Sequence, residues 1–116
     1  MSDREKNIIG SKTLKYMISN QLENRKDLYK IAKGQWSKSS YKGIGFSLAG
    51  SVVIDPIANM STRSIGEFSW GGAAETSFWV DQKEKISVVF MAQMLGYPHS
   101  QNIRDDLRTL VYQALI

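Results

Sequence analysis

Three runs of residues between positions 64 and 94 constrain the fold more strongly than any other feature of this 116-residue chain. Residues 64–70 and 76–81 alternate polar and apolar side chains, which is typical of half-buried strands, and the glycines and alanines of 71–74 separate them. A polar break at 81–85 then predicts a hairpin into the run 86–94. Because this last run is the most apolar, we expect it to be buried on both faces.

A further strand and a helix are predicted before these runs. Residues 43–54, rich in Gly, Phe, Leu and Val, predict one strand that ends before Pro56. Residues 11–21 predict a short helix capped by Ser11, with its apolar side chains on one stripe. Residues 22–42 lack periodicity, so we expect them to form a polar, basic connector.

The chain ends in an amphipathic helix, predicted for residues 101–115 behind a Ser100 cap. Its apolar residues form one face: Ile103, Leu107, Leu110, Val111, Ala114 and Leu115. We expect this face to cover the sheet, with Arg104 and Arg108 pointing away from it. The fold class is therefore α+β, an antiparallel sheet of three to four strands backed by N- and C-terminal helices in a single domain, residues 1–116.

The composition excludes several functional classes. The chain has no cysteine, which excludes thiol catalysis and cysteine-ligated zinc, and its carboxylates show no metal-ligand spacing. Its longest apolar run, residues 88–92, is far shorter than the roughly 20 residues that a spanning helix needs. The N-terminus shows no secretion signal, so we expect no membrane association and take the cytoplasm as the default location.

The net charge of +4 is unevenly distributed along the chain. Residues 1–50 hold ten basic and four acidic side chains, whereas residues 51–116 hold five and seven. The basic connector also contains Tyr29, Trp36 and Tyr41, a combination that can bind single-stranded nucleic acid. Because these residues share no helical face and match no nucleic-acid-binding fold, we interpret the segment as solvated and expect no nucleic-acid partner.

Two candidate catalytic features are weak. Ser39-Ser40-Tyr41-Lys42 matches a Ser-x-x-Lys motif, in which one helical turn places the amine beside the hydroxyl that it activates. It lies in the connector, where we expect no helical turn, so we interpret Ser39 and Lys42 as a chance match. His99 is the only histidine and follows Tyr97-Pro98, which indicates a surface loop.

Four stretches of the chain occur in an order that resembles one protein family. They are residues 66–74 (GEFSWGGAA), 78–81 (FWVD), 88–93 (VVFMAQ) and 104–115 (RDDLRTLVYQAL). This order is similar to the C-terminal end of serine hydrolases of the β-lactamase superfamily, above all class C β-lactamase-like esterases and penicillin-binding-protein-like enzymes. The resemblance covers residues 8–116 and implies a partial β-lactamase/transpeptidase-like domain that needs no cofactor.

The resemblance gives residues 70–73 a role. Trp70-Gly71-Gly72 looks like the family's third active-site element, with Trp70 at the position of a lysine or histidine. Gly72 would keep the strand clear of the nucleophile, and Ala73 would offer its N–H to the oxyanion hole. A tight bend between strands is the alternative use of these glycines. Without a cation at position 70, the resemblance implies ester rather than penicillin-type substrates.

The chain also departs from the family pattern. The nucleophile element has no counterpart, no Tyr-x-Asn occurs, and Glu75 stands where a small residue is usual. Asp81-Gln82 replaces a common Asp-Pro turn. We therefore expect this chain alone to hydrolyse neither small esters nor β-lactam-like amides.

Two kinds of partner follow from this interpretation. As the C-terminal part of a hydrolase, the chain would need a complementing N-terminal fragment. Alternatively, it is a non-catalytic interaction or oligomerisation module, because a sheet without its partner strands exposes an edge that pairs with another chain. That other chain can be a second copy.

Overall fold

Five antiparallel strands form one sheet in the computed structural model, which describes residues 8–116 apart from the side chain of Trp36. The strands are β1 Ile44–Phe46, β2 Ser51–Val53, β3 Phe68–Gly71, β4 Ser77–Asp81 and β5 Ile86–Phe90. Each pairs with the next in the chain, so β3 is central and β1 and β5 are the edges. The α+β class is confirmed, with one strand more than the three to four predicted.

The additional strand arises because residues 43–54 form a hairpin, not one strand. Ser47 closes the turn: its N–H and its Oγ both donate to the Gly50 carbonyl oxygen, at 2.8 Å each. Gly50 adopts a φ of 153°, and a Cβ there would lie 2.8 Å from the Ser69 carbonyl oxygen. The prediction of one strand was wrong because this turn uses a serine side chain inside an apolar stretch.

Three α-helices complete the fold: α1 Ser11–Met17, α2 Leu28–Ile31 and α3 Ser100–Gln113. The N-caps of α1 and α3 are Gly10 and His99, so the predicted Ser11 and Ser100 caps were each placed one residue late. None of the three helices is long and apolar enough to cross a membrane, within the part of the chain that the structure describes.

The connector, residues 22–42, is folded against the edge of the sheet. It contains α2 and three 3₁₀ turns, Glu23–Arg25, Gly34–Ser37 and Ser39–Tyr41. Asp27 holds it in place: one carboxylate oxygen caps α2 through the Lys30 N–H at 3.0 Å, and the other accepts from the Gly43 N–H at 2.9 Å. A buried carboxylate that satisfies two backbone donors fixes this polar segment without a large apolar core.

Helix α3 packs on the sheet with a face that overlaps the predicted one only in part: Leu107 and Val111 are half-buried, but Arg108, predicted to point away, is buried as well. Arg104, Arg108 and Tyr112, spaced by one turn each, contact the sheet, and Arg108 is buried. Leu110, assigned to the buried face, is 64% exposed. Helix α3 therefore meets the sheet through polar contacts.

Strand β5 is an exposed edge strand, so its predicted burial on both faces was wrong. Val89 is 70% exposed and Met91, which follows the strand, is 74% exposed. The buried apolar side chains lie on β1, β2 and β4, at Ile44, Val52, Val53 and Trp79. The apolar character of residues 86–94 therefore marks an uncovered surface.

Candidate functional site

The Trp-Gly-Gly sequence lies where central strand β3 turns into β4. The Gly72 N–H donates to the Thr76 carbonyl oxygen at 2.9 Å, and the Glu75 N–H donates to the Gly72 carbonyl oxygen at 3.3 Å. These bonds close a tight turn over residues 72–75, in which Glu75 has a φ of 67°. A left-handed backbone at a non-glycine residue is strained, so the turn is held by its surroundings.

Ala73 lies at the tip of this turn and is exposed. Its N–H donates no backbone hydrogen bond to any residue from 8 to 116. A main-chain N–H on an exposed residue that makes no backbone hydrogen bond is the kind of donor that an oxyanion hole requires. The terminal helix does not cover Ala73.

Neighbouring groups of the protein leave no room for a side chain at Gly71 or Gly72. A Cβ at Gly71 would lie 3.1 Å from the Arg104 guanidinium, and one at Gly72 would lie 2.6 Å from the Thr76 hydroxyl. The Arg104 Nη2 also donates to the Gly72 carbonyl oxygen at 3.0 Å. The contacts therefore support the tight-bend interpretation of both glycines, with α3 bracing the turn.

Trp70 borders an apolar pocket of about 310 Å³. The other lining residues come from the connector and β1: Leu22, Leu28, Ala32 and Phe46. The Phe46 and Trp70 rings meet edge to face, with centroids 5.2 Å apart, which fixes the tryptophan at the pocket rim. This pocket is apolar and of the size range of small-ligand sites.

A second cavity, of about 110 Å³, lies between the sheet, α3 and the connector. Trp70 and Gly71 line it together with three arginines and three serines of the sheet: Arg63, Arg104, Arg108, Ser51, Ser69 and Ser77. These serines come from neighbouring positions on β2, β3 and β4, because Ser51 pairs with Ser69 and Ser77 pairs with Gly71. Charged and hydroxyl groups thus line part of this cavity, in contrast to the pocket beside Trp70.

A buried ionic network supports α3 behind this cavity. Glu67, with no exposed surface, accepts a hydrogen bond from the Arg108 Nε at 3.2 Å and from the Tyr112 hydroxyl at 2.8 Å. The same hydroxyl lies 2.6 Å from Asp81 Oδ2. Since a phenol carries one proton, Tyr112 shares it between two buried carboxylates. The Arg108 guanidinium also lies 5.0 Å from the centroid of the Trp79 ring.

The network shifts the pKa values of its members. Burial alone would raise the pKa of Asp81, but hydrogen bonds from Ser64, Tyr112 and two backbone N–H groups outweigh it and lower that pKa. Burial and the nearby charge of Arg63 lower the pKa of Arg108 to about 10, although Glu67 opposes them. Burial, reinforced by the two carboxylates, raises the pKa of Tyr112. The tyrosine therefore stays protonated and acts as a donor.

The other candidate residues lie elsewhere. Ser39 does begin a 3₁₀ turn, so the expectation that no helical turn occurs there was wrong, but the Lys42 ammonium lies 4.8 Å from the centroid of the Tyr29 ring. His99 is exposed, caps α3 and contacts the Tyr97 ring. Within the described residues, no group of His, Asp and Glu side chains could hold a metal ion.

Glu75 is buried beneath the turn, so its side chain does not lie on the exposed outer side of the turn. The side chain is 8% exposed, and its Oε2 lies 3.9 Å from the Arg104 Nη2. That oxygen has no hydrogen-bond partner among the described residues. Glu75 thus contributes a negative charge beside Arg104 on the inner side of the turn.

Solved structures resemble this chain, although no protein-family model and no curated protein matches it. EstCE1, described as a hydrolase with promiscuous acyltransferase activity, matches 73% of this chain at 25% identity and a TM-score of 0.59. Simvastatin synthase LovD from Aspergillus terreus matches 90% at 16% identity and a TM-score of 0.61. The matched parts are 22% and 28% of those two chains, so this chain spans about a quarter of each.

Sequence reasoning missed the polar groups around the cavity. Arg104 and Arg108 were expected to point away from the sheet because only the apolar residues were used to orient α3, and no contact was predicted for Tyr112. A usable signal was present, since these three residues recur at i, i+4 and i+8 and Glu67 occupies an inward-facing position two residues before Ser69. A polar helix stripe opposite a buried carboxylate predicts an ion pair.

Proposed function

We propose that this chain, whose fold is that of the β-lactamase-like serine hydrolases, is the C-terminal part of such an enzyme. It supplies the strand that ends in Trp70-Gly71-Gly72 and offers the Ala73 N–H to the oxyanion that forms during acyl transfer. The nucleophile and its base come from residues outside this chain. The intact enzyme hydrolyses small esters and needs no cofactor.

The exposed Ala73 N–H is the observation that carries this proposal. It follows a central strand, lies in a turn braced by Arg104, and makes no backbone hydrogen bond within residues 8–116. Hydrogen-bond donors that are held in place before the reaction stabilise developing negative charge without reorganisation. The likeness to EstCE1, a hydrolase with promiscuous acyltransferase activity, supports the same chemistry.

Ester substrates are favoured over penicillin-type ones by the surroundings of Trp70. The indole replaces a cation at the position that would bind a substrate carboxylate, and it borders the apolar pocket formed with Leu22, Leu28 and Phe46. Apolar burial stabilises by about 0.8 kcal/mol for each CH₂ group. An acyl or alkyl chain would therefore gain affinity in this pocket.

The purified chain is expected to turn over neither p-nitrophenyl acetate nor p-nitrophenyl butyrate above the rate of its Ser39→Ala variant. Ser39 is the only serine in a Ser-x-x-Lys pattern, and the Lys42 ammonium is held over Tyr29. Labelling with a fluorophosphonate probe checks the same point, because such probes react with activated serines. Turnover or labelling that disappears in Ser39→Ala would contradict the assignment of the nucleophile to another segment.

The genomic DNA before the first codon provides the complementary test. The proposal expects an open reading frame that encodes a helix with Ser-x-x-Lys, followed by Tyr-x-Asn. Expression of that segment together with this chain is expected to restore esterase activity. If neither the DNA before the first codon nor a neighbouring gene encodes these elements, the proposal is wrong.

The exposed edge of β5 favours a second candidate function, that of an oligomerisation module. Ile86–Phe90 carries no charge and no proline, the two features by which edge strands avoid pairing. Two copies can pair their β5 strands antiparallel and form one continuous sheet. This candidate needs no active site.

Light scattering decides between a monomer and this dimer. If β5 mediates pairing, the wild-type chain is expected at twice the mass of 13.1 kDa, and the Val89→Lys variant at the monomer mass. Ser87→Ala, a change at another exposed position of the same strand, serves as the control and leaves the mass unchanged. A wild-type monomer at all concentrations would exclude pairing through β5.

A further inference from the structure

The polar cavity between the sheet and α3 is lined by cations and hydroxyl groups and by no carboxylate. Its charged lining residues are Arg63, Arg104 and Arg108, and its hydroxyl groups come from Ser40, Tyr41, Ser51, Ser69 and Ser77. These side chains offer many hydrogen-bond donors to a small enclosed space. Such a lining is suited to an acceptor that carries negative charge.

Three of the buried donors in this lining have no partner. Ser77 Oγ, Arg63 Nε and Arg104 Nε make no hydrogen bond to any of the described residues. Ser77 is 6% exposed, and the Arg63 side chain is 9% exposed. Buried donors without acceptors destabilise a fold, so three of them around one cavity favour the binding of an acceptor there.

The nearest carboxylates do not satisfy these donors. Glu67 Oε1 lies 4.0 Å from Arg63 Nε, Asp105 Oδ1 lies 3.6 Å from Arg63 Nη2 and is half exposed, and Glu75 Oε2 lies 3.9 Å from Arg104 Nη2. All three distances exceed that of a hydrogen bond. The Nε groups of both arginines therefore make no hydrogen bond to a carboxylate.

The charges around the cavity repel one another. Burial is the main cause that lowers the pKa of Arg108 to about 10, and the charge of Arg63 is the next. An anion between the guanidinium groups would reduce this repulsion. The negative charge would be stabilised in turn by the guanidinium groups and hydroxyl donors around it.

We infer that this cavity binds a small oxyanion, a carboxylate or phosphate group, held by Arg63, Arg104 and Ser77. The volume of about 110 Å³ equals the share of roughly three to four water molecules in the liquid. It accommodates a group of a few heavy atoms and is too small for an aromatic ester. The inference does not depend on the proposed hydrolase, because it uses neither a nucleophile nor the Ala73 N–H.

Thermal unfolding in different sodium salts tests this inference and separates the two sources of the anion. At equal ionic strength, acetate represents organic carboxylates, phosphate represents inorganic oxyanions, and chloride measures screening alone. Acetate or phosphate is expected to raise the Tm by about 5 °C relative to chloride at ten times its Kd, with saturation. Equal Tm values in all three salts would overturn the inference.

The Ser77→Ala variant identifies the cavity as the binding site. The substitution removes an unpartnered hydroxyl, so we expect the variant to fold in chloride and to lose most of the rise in Tm that the anion causes. Ser87→Ala, an exposed serine on β5, is the matched control and keeps the full rise. An unchanged response in Ser77→Ala would show that the anion binds elsewhere.

Nitrogen NMR of the arginine side chains gives a direct measurement. The Nε–H resonances of Arg63 and Arg104 are expected to shift on titration with the salt that raises the Tm, whereas that of Arg25 is not. Arg25 lies outside the cavity, where its guanidinium donates to the Asn20 carbonyl oxygen. Shifts at Arg25 that equal those at Arg63 and Arg104 would indicate general screening and contradict a site.

Discussion

Replacement of Arg108 by alanine is expected to lower the free energy of unfolding by about 3–5 kcal/mol. Arg108 is 8% exposed and donates from Nε to Glu67, which has no exposed surface. Its removal leaves a carboxylate buried with one partner fewer and also removes the contact with the Trp79 ring. Urea unfolding followed by tryptophan fluorescence measures the change.

Two further variants separate the ion pair from general effects of substitution. Lys38→Ala removes an exposed cation and is expected to change stability by less than about 0.5 kcal/mol. The double variant Arg108→Met with Glu67→Gln removes both charges and keeps an acceptor for Tyr112, so it is expected to be more stable than Arg108→Ala. If Arg108→Ala lowers the free energy of unfolding as little as Lys38→Ala does, the Arg108–Glu67 pair is not buried.

The strands of this fold were predictable because their residues alternate. Residues 64–70 overlap β3 from Phe68 onward, residues 76–81 contain β4, and the break after Asp81 became the hairpin to β5. The turn inside 43–54 was not predictable by the same reasoning, because Ser47 and Gly50 close it in the middle of an apolar stretch. Local turn chemistry decided the number of strands.

The orientation of α3 was not predictable from hydrophobic periodicity alone. That method assumes that the surface under the helix is apolar. Here the surface carries Glu67 and Asp81, which are 0% and 1% exposed, so the helix must bring donors to them. Hydrogen bonds to these two buried carboxylates therefore stabilise the fold more than the burial of Leu110 would.

The position of the candidate site followed from the resemblance, whereas its chemistry came from three-dimensional contacts. The strand was expected to end at Trp70, one residue before the observed end of β3 at Gly71, but the bracing of Gly72 by Arg104 joins residues that are 32 positions apart. The exposed Val89 and Leu110 are consistent with surfaces that other segments of a longer hydrolase would cover. Their exposure therefore agrees with the proposed function as part of a larger domain.

The Tyr112→Phe variant is expected to lose about 1.5–3 kcal/mol of stability at neutral pH and progressively less as the pH falls. The Tyr112 hydroxyl lies 2.8 Å from Glu67 and 2.6 Å from Asp81, and it stabilises the charged form of Asp81. The hydrogen bonds to Asp81 lower its pKa in the folded state. The stability that they contribute is therefore complete above the unfolded pKa of about 3.9 and is lost as the pH falls through the folded pKa.

Urea unfolding of both proteins at a series of pH values from neutral to about 3 measures this dependence. The wild-type chain should lose stability more steeply in acid than Tyr112→Phe, because only the wild type holds the Asp81 pKa down through the phenol. Tyr16→Phe, at a tyrosine that is 62% exposed, should show the wild-type slope. A stability difference between Tyr112→Phe and the wild type that is the same at every pH would mean that the hydroxyl does not stabilise the ionised carboxylate.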